Sequence, residues 1–289
     1  MVLLSTTRLA GEPNAKDLLI VGPSLGTAIE ALWQETATLL GSHFEVIGWD
    51  LPGHGRGNPA TTAFDVADLV DAVRRIAVEN AADRRCWYAG VSLGGTLAYE
   101  FSLRPEPFCG TIAIASGPRI GTPEAWLERA SLVRHAGIEA VLAATPARWF
   151  ASGFTERHPQ AAQRLLHSLA ATDPESYALA CEALARFDAT SSPAARLVGG
   201  RHASAPPPDS TNLIATRIPL LVLAGGLDPV VPASTSRAVT GTIAEAKFEL
   251  LPDSAHLPPA DNPGGVASAI LRFAADTQRE GSDTVRSIR

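Results

Sequence analysis

Gly90-Val91-Ser92-Leu93-Gly94 constrains this chain more than any other stretch. An apolar run, Cys86-Trp87-Tyr88-Ala89, precedes it, and a helix-compatible stretch from Thr96 to Leu103 follows. That context predicts a strand, a sharp turn and a helix with a serine at the apex, a nucleophile elbow. Such a turn drives the serine backbone toward strained dihedrals, and flanking glycines keep side-chain atoms out of the crowded bend. The hydroxyl then stands above the strand end, at a helix N-terminus whose free N–H groups favour developing negative charge.

Around the elbow, short apolar runs alternate with helix-length amphipathic segments. This is the pattern of an α/β protein with a mostly parallel sheet flanked by helices. Strands are predicted at Leu18–Val21, Glu45–Trp49, Cys86–Ala89, Gly110–Ala115, Pro219–Ala224 and Ala246–Leu251, with an antiparallel edge strand at Thr6–Leu9. Helices are predicted at Ala28–Leu40, Phe64–Val78, Leu93–Leu103, Ala233–Thr240 and Pro263–Ala275. The alternation stops after Ser116. From about Gly121 to Phe187 the pattern is helical and rich in Ala, Leu and Arg, and the sheet pattern resumes at Pro219. The chain therefore reads as a core of residues 1–118 and 213–289 with a helical lid, 119–189, inserted after the sixth strand position. Residues 190–212, with Pro206-Pro207-Pro208, carry no periodicity and are expected to form a mobile surface loop.

Composition excludes several classes. Apolar residues make up 46% and charged residues 19%, which suits a globular chain. A net charge of −6 argues against a nucleic-acid or anionic-membrane partner. No apolar run approaches the roughly 20 residues of a membrane span. The first residues lack the basic region and apolar length of a signal peptide, so a cytoplasmic location is expected. Three cysteines without metal spacing point to free thiols, with Cys86 and Cys109 in strand-like runs.

A serine hydroxyl is a poor nucleophile at neutral pH and needs a base; the base needs an acid to fix its tautomer. In an elbow fold the chain order is Ser, then Asp or Glu, then His. Of His43, His54, His135, His158, His167, His202 and His256, only His256 follows a late strand and precedes the last helix. The others are expected to be solvated in loops or on lid helices. For the acid, Gly225-Gly226-Leu227-Asp228 directly follows the strand Leu220–Ala224, which places Asp228 at the carboxyl end of the sheet. Asp253 sits too close to His256 in one loop to face its ring, and Asp50 is expected to be structural. An oxyanion needs two amides: Leu93 N–H, directly after the nucleophile, and Leu25 N–H from Gly22-Pro23-Ser24-Leu25-Gly26-Thr27, with Ser24 as the fallback.

With these pieces in place the chain resembles the α/β-hydrolase superfamily along nearly its whole length, and within it the 3-oxoadipate enol-lactonases. Ser24–Thr27 and Gly90–Gly95 are shared by many hydrolases. Arg119–Trp126, Arg148-Trp149-Phe150 and Phe154–Pro159 carry the narrower likeness, because lids diverge quickly. Leu51-Pro52 stands where the family pattern has an arginine, and the 190–212 segment is longer than usual. The resemblance implies a Ser-His-Asp hydrolase that opens a lactone in aromatic catabolism (the β-ketoadipate pathway) with no metal or organic cofactor. A general carboxylesterase and a C–C hydrolase or haloperoxidase-like member share the fold and triad. A non-enzymatic relative would usually have lost one of the three residues. The implied small-molecule substrate is anionic and calls for a carboxylate ligand from the lid arginines Arg119, Arg129, Arg134, Arg148 and Arg157. Arg134 and Arg148 lead, with Trp126 and Trp149 as apolar walls.

Overall fold

The computed structural model describes residues 1–13, 15–191 and 214–287. Strand β1 (Ser5–Ala10) largely alternates between more and less exposed positions and pairs antiparallel with β3 (Phe44–Asp50) at one sheet edge. The apolar runs become central strands because both their faces are covered. These are β2 (Asp17–Gly22), β4 (Arg85–Val91), β5 (Phe108–Ile114) and β7 (Leu220–Gly225), with β9 (Lys247–Leu251) closing the far edge. The order is β1-β3-β2-β4-β5-β7-β9, parallel from β3 onward. Two-residue strands β6 (Ile214–Ala215) and β8 (Ile243–Ala244) form a separate ladder, too short to leave a sequence pattern.

The predicted helices appear as α1 (Ile29–Leu40), α2 (Val66–Ala81) and α3 (Leu93–Leu103), and later as α10 (Ala233–Thr240) and α12 (Pro263–Ser287). The last helix runs well past its predicted end at Ala275. Its apolar stripe stops near Ala274, and the following turns are polar, with Glu280 paired to Lys247 at 2.9 Å, so hydrophobic periodicity does not mark the terminus. Between β5 and β6 the chain is helical. It forms α4 (Pro123–Ala136), α5 (Glu139–Leu142), α6 (Thr145–Trp149), α7 (Phe154–Arg157), α8 (Pro159–Ala170) and α9 (Pro174–Arg186), then a 3-10 turn at Ala189–Ser191. Counted along this chain the insertion follows the fifth strand, because a single antiparallel strand precedes the parallel set. Of the loop expected over 190–212, residues 192–212 lie outside the described residues. No described helix is long and apolar enough to cross a membrane.

Register decides where the chemistry sits. Gly22 pairs with Gly90, Val91 with Ile114, and Gly225 with Leu251, so β2, β4, β7 and β9 end level with their neighbours. The loops that follow carry Leu25, Ser92, Asp228 and His256 out of one sheet edge, the edge where open α/β sheets bind ligands.

Candidate active site

Ser92 adopts φ 52° and ψ −115°, a conformation L-residues avoid, and the surrounding bonds hold it there. Its N–H donates to Ile114 O at 2.9 Å, the Ser116 hydroxyl donates to Ser92 O at 2.7 Å, and Gly94 N–H donates to Pro23 O at 2.9 Å. The glycines are spatial requirements. A Cβ on Gly90 would lie 2.2 Å from Gly94 O, and one on Gly94 would lie 2.6 Å from Pro23 O.

Ser92, His256 and Asp228 form one buried hydrogen-bonded chain. His256 Nδ1 lies 2.9 Å from Asp228 Oδ2 and Nε2 lies 3.0 Å from Ser92 Oγ. A carboxylate only accepts, so Nδ1 carries the ring proton and Nε2 accepts from the serine hydroxyl. The other oxygen of Asp228 accepts from Val230 N–H at 2.7 Å and Val231 N–H at 3.0 Å, which fixes the carboxylate's orientation. Such a chain can draw a proton from a serine as the serine attacks. The rivals lie elsewhere: Asp253 is exposed, and Asp50 accepts from Ile29 N–H at 2.8 Å and Arg56 N–H at 3.2 Å, tying two loops together.

The two amides proposed for an oxyanion have distinct reasons to be available. Leu93 opens α3 and has no intrahelical acceptor. In the β2 loop the Thr27 hydroxyl takes Ser24 N–H at 3.1 Å, which removes the fallback donor and leaves Leu25 next in line. Ser24 and Leu25 both line the cavity over Ser92.

That cavity has an open volume of about 20 Å³, and Trp126, Arg129, Arg148, Trp149, Tyr177, Val230 and His256 complete its wall. Both tryptophans and Arg148 are therefore at the site. Arg134 is not. It lies on the outer side of α4, where it forms a bidentate pair with Glu175 (2.8 and 2.7 Å) and binds Glu182, two turns further along α9. Its guanidinium clamps α4 to α9. Arg129 takes the cavity position instead, because it shares a helical face with Trp126 and with the buried Ala130 and Val133. Helical phase was the signal available for choosing between Arg129 and Arg134. Tyr177, from α9, had none.

Arg129 Nε donates to the Tyr177 hydroxyl at 2.7 Å, and its guanidinium lies 5.7 Å from the centre of that ring. Burial pushes the Tyr177 phenol up to about 12, so it stays protonated. Arg148 forms no hydrogen bond or ion pair with the described residues. Desolvation at the cavity, then the like charge of Arg129, hold its pKa below the ordinary value. His54 departs from the solvated state expected of it. It is fully buried, stacks on Tyr177 with ring centres 6.1 Å apart, and donates from Nδ1 to Pro52 O at 2.8 Å. Desolvation lowers its pKa to about 4, so the ring is neutral. The helical segment and the His256 loop also touch: His256 N–H donates to Trp149 O at 3.2 Å.

Residues 19–269 match the family described as the alpha/beta hydrolase family. The chain is 28% identical over 253 residues to 3-oxoadipate enol-lactonase 2 of Acinetobacter baylyi, an alignment covering 87% of this chain and 86% of that protein. The solved enol-lactonase from Burkholderia xenovorans superposes with a TM-score of 0.80 at 25% identity, covering 94% of this chain and 96% of that one. A thermophilic esterase from Thermogutta terrifontis superposes with a TM-score of 0.78 at 21% identity, covering 95% and 93%, a likeness of fold alone.

Proposed function

The chain belongs to the alpha/beta hydrolase family, and from that premise we propose that it is a serine hydrolase opening an enol-lactone that carries a carboxylate arm, with 3-oxoadipate enol-lactone as substrate. Ser92 Oγ attacks the lactone carbonyl carbon while His256 Nε2 takes the hydroxyl proton and Asp228 stabilises the imidazolium. The Leu93 and Leu25 amides receive the oxyanion. Collapse breaks the ring's acyl–oxygen bond, and the departing oxygen takes the proton back from His256 as an enol. An enol leaves more readily than a simple alkoxide, so moderate acid assistance suffices. Water, deprotonated by His256, then cleaves the acyl-enzyme, and the enol tautomerises to the ketone. In acylation and deacylation the protons pass through one imidazole, which returns the last of them to Ser92 Oγ as it leaves.

The observation that supports an anionic substrate is the pair Arg129 and Arg148, which face Ser92 with no carboxylate partner among the described residues. A carboxylate arm entering a cavity walled by Trp126 and Trp149 would lose its water, and a guanidinium fork replaces that water with two hydrogen bonds. The helical segment over this cavity acts in this reading as a lid that shifts to admit the lactone. The test compares a synthetic enol-lactone with p-nitrophenyl acetate for the wild type, Arg129→Ala and Arg148→Ala. Preference for the lactone, lost selectively in the variants, supports the reading. Preference for the neutral ester, unchanged by either variant, replaces it with a general carboxylesterase.

A further inference from the structure

The loop that carries His256 is held by more than the residues of the hydrogen-bonded chain. Its backbone donors are each taken by a different part of the molecule. Ser254 N–H goes to Leu251 O at 3.2 Å, and His256 N–H goes to Trp149 O at 3.2 Å. Between them, Ala255 N–H goes to a side chain, Asp261 Oδ2, at 2.7 Å. Asp261 closes α11 (Pro258–Asp261), a turn anchored to α1 by the Thr36 hydroxyl, which donates to Pro259 O at 2.8 Å. The acceptor is thus fixed from outside the loop it holds.

The surroundings of Asp261 are unusual for a carboxylate that serves only as a tether. It has no ion-pair partner among the described residues, and its second oxygen is buried with only the Ser254 hydroxyl, too far for a well-formed hydrogen bond, acting on it as a polar side chain. A tether needs one neutral acceptor, and a buried charge costs stability unless something opposite in sign forms beside it. The charged groups that act on Asp261 are Asp228 and His256. On the neighbouring elements the Thr36 hydroxyl of α1 donates to Pro259 O and Asn262, at the start of α12, accepts from Gly265 N–H, and neither is charged. An imidazolium at His256 is therefore the positive charge that can form beside this acid.

We propose that Asp261 is a positioning residue for His256, holding the loop through the Ala255 amide and adding a second negative charge that stabilises the imidazolium during the attack by Ser92. Desolvation, the first cause acting on Asp261, raises its pKa, and Asp228 raises it further. A rising positive charge on His256 works against both. This inference rests on the serine-hydrolase reading and is independent of the lactone.

The test uses a small neutral fluorophosphonate, whose phosphorus accepts Ser92 Oγ as fluoride leaves and His256 takes the proton. Intact mass reads the rate and peptide mapping locates the adduct, so no natural substrate is needed. Asp261→Asn keeps an acceptor for Ala255 N–H and removes only the charge. Its plateau rate should stay within about threefold of wild type while the acid limb of the rate profile moves down by about half a pH unit, since the imidazolium is less stabilised. Asp261→Ala removes the tether as well, and its plateau rate should fall about tenfold or more with little change in probe affinity. If that variant does not fold, Asp261→Glu, which keeps the charge but displaces the carboxylate, should show the same fall. An acid limb in Asp261→Asn that overlays the wild type overturns the charge role. A wild-type plateau rate in folded Asp261→Ala or Asp261→Glu overturns the positioning role. Failure of wild-type Ser92 to label overturns the serine-hydrolase reading and this inference with it.

Discussion

At the sheet edge, Asp228 accepts from two backbone amides and an imidazole, whereas in the helical segment above it Arg129 meets one phenol and Arg148 no polar partner among the described residues. The first arrangement is complete in itself; the second leaves guanidinium N–H groups to spare. Groups that move protons must hold one geometry through the whole reaction, so fixed partners orient them. Groups that recognise a charged substrate must exchange water for it, and a guanidinium already tied to a carboxylate has less to offer. Arg134 makes the contrast within a single helix, because its fork is occupied by Glu175 and Glu182 and it serves packing.

The comparison breaks most sharply at Ser92. Ser92→Ala should lower kcat by about 10⁴–10⁶-fold for every ester or lactone tested, and adding His256→Ala should cost little more, because the chain acts as a unit. Near-normal turnover in Ser92→Ala would remove the sheet edge from the chemistry. Substitutions in the helical segment should instead discriminate between substrates. Replacing whichever of Arg129 and Arg148 binds the substrate carboxylate with Ala should cost about 2–4 kcal/mol in kcat/KM for an anionic lactone and leave p-nitrophenyl acetate nearly unchanged. Equal losses on both substrates would mean these arginines support the site rather than select for it.

His54 tests the sheet-edge side through stability. Its folded pKa is lowered to about 4 against about 6.5 in the unfolded chain, so as pH falls the unfolded chain takes the proton first. The stabilisation is present above pH 6.5 and is lost as pH drops toward 4. Denaturant unfolding at pH 7 and pH 4.5 should differ by about 2–3 kcal/mol on this account. His54→Gln should remove that part of the difference; an unchanged pH slope would show that the loss comes from other groups. The smallest effect is expected at Arg134. Its ion pairs are exposed, so Arg134→Ala should cost about 1 kcal/mol of stability or less. Turnover of lactone and ester should stay within about twofold of wild type, and a selective loss on the lactone would return Arg134 to the site.

Two of the strand-end loops were legible because a buried apolar strand is followed closely by its polar residue: Val91 by Ser92, and Gly225 by Asp228. Parallel strands level at one edge then bring those residues together without further information. Arg134 misled because a lid helix turns both faces toward something: Arg129 toward the cavity and Arg134 toward the glutamates of α9. Composition treats the two arginines alike. His54 misled for a related reason, since α9 and the turn before it, well over a hundred residues away in the chain, cover its loop, with Tyr177 stacked on the ring and Asp173 N–H donating to Gly53 O at 2.9 Å.

The sequence by itself determined the elbow, the strand-to-loop order and that Ser92, Asp228 and His256 leave the sheet at one edge, because these depend on local periodicity and on glycines that a tight turn requires. Only the tertiary structure decided which arginine faces the cavity, that Trp149 O and Asp261 hold the backbone of the His256 loop, and that α9 covers the His54 loop. Each of these is a contact between segments far apart in sequence or meeting across a turn. Which side chain fills such a contact depends on how elements pack in three dimensions, and no local pattern along the chain encodes it.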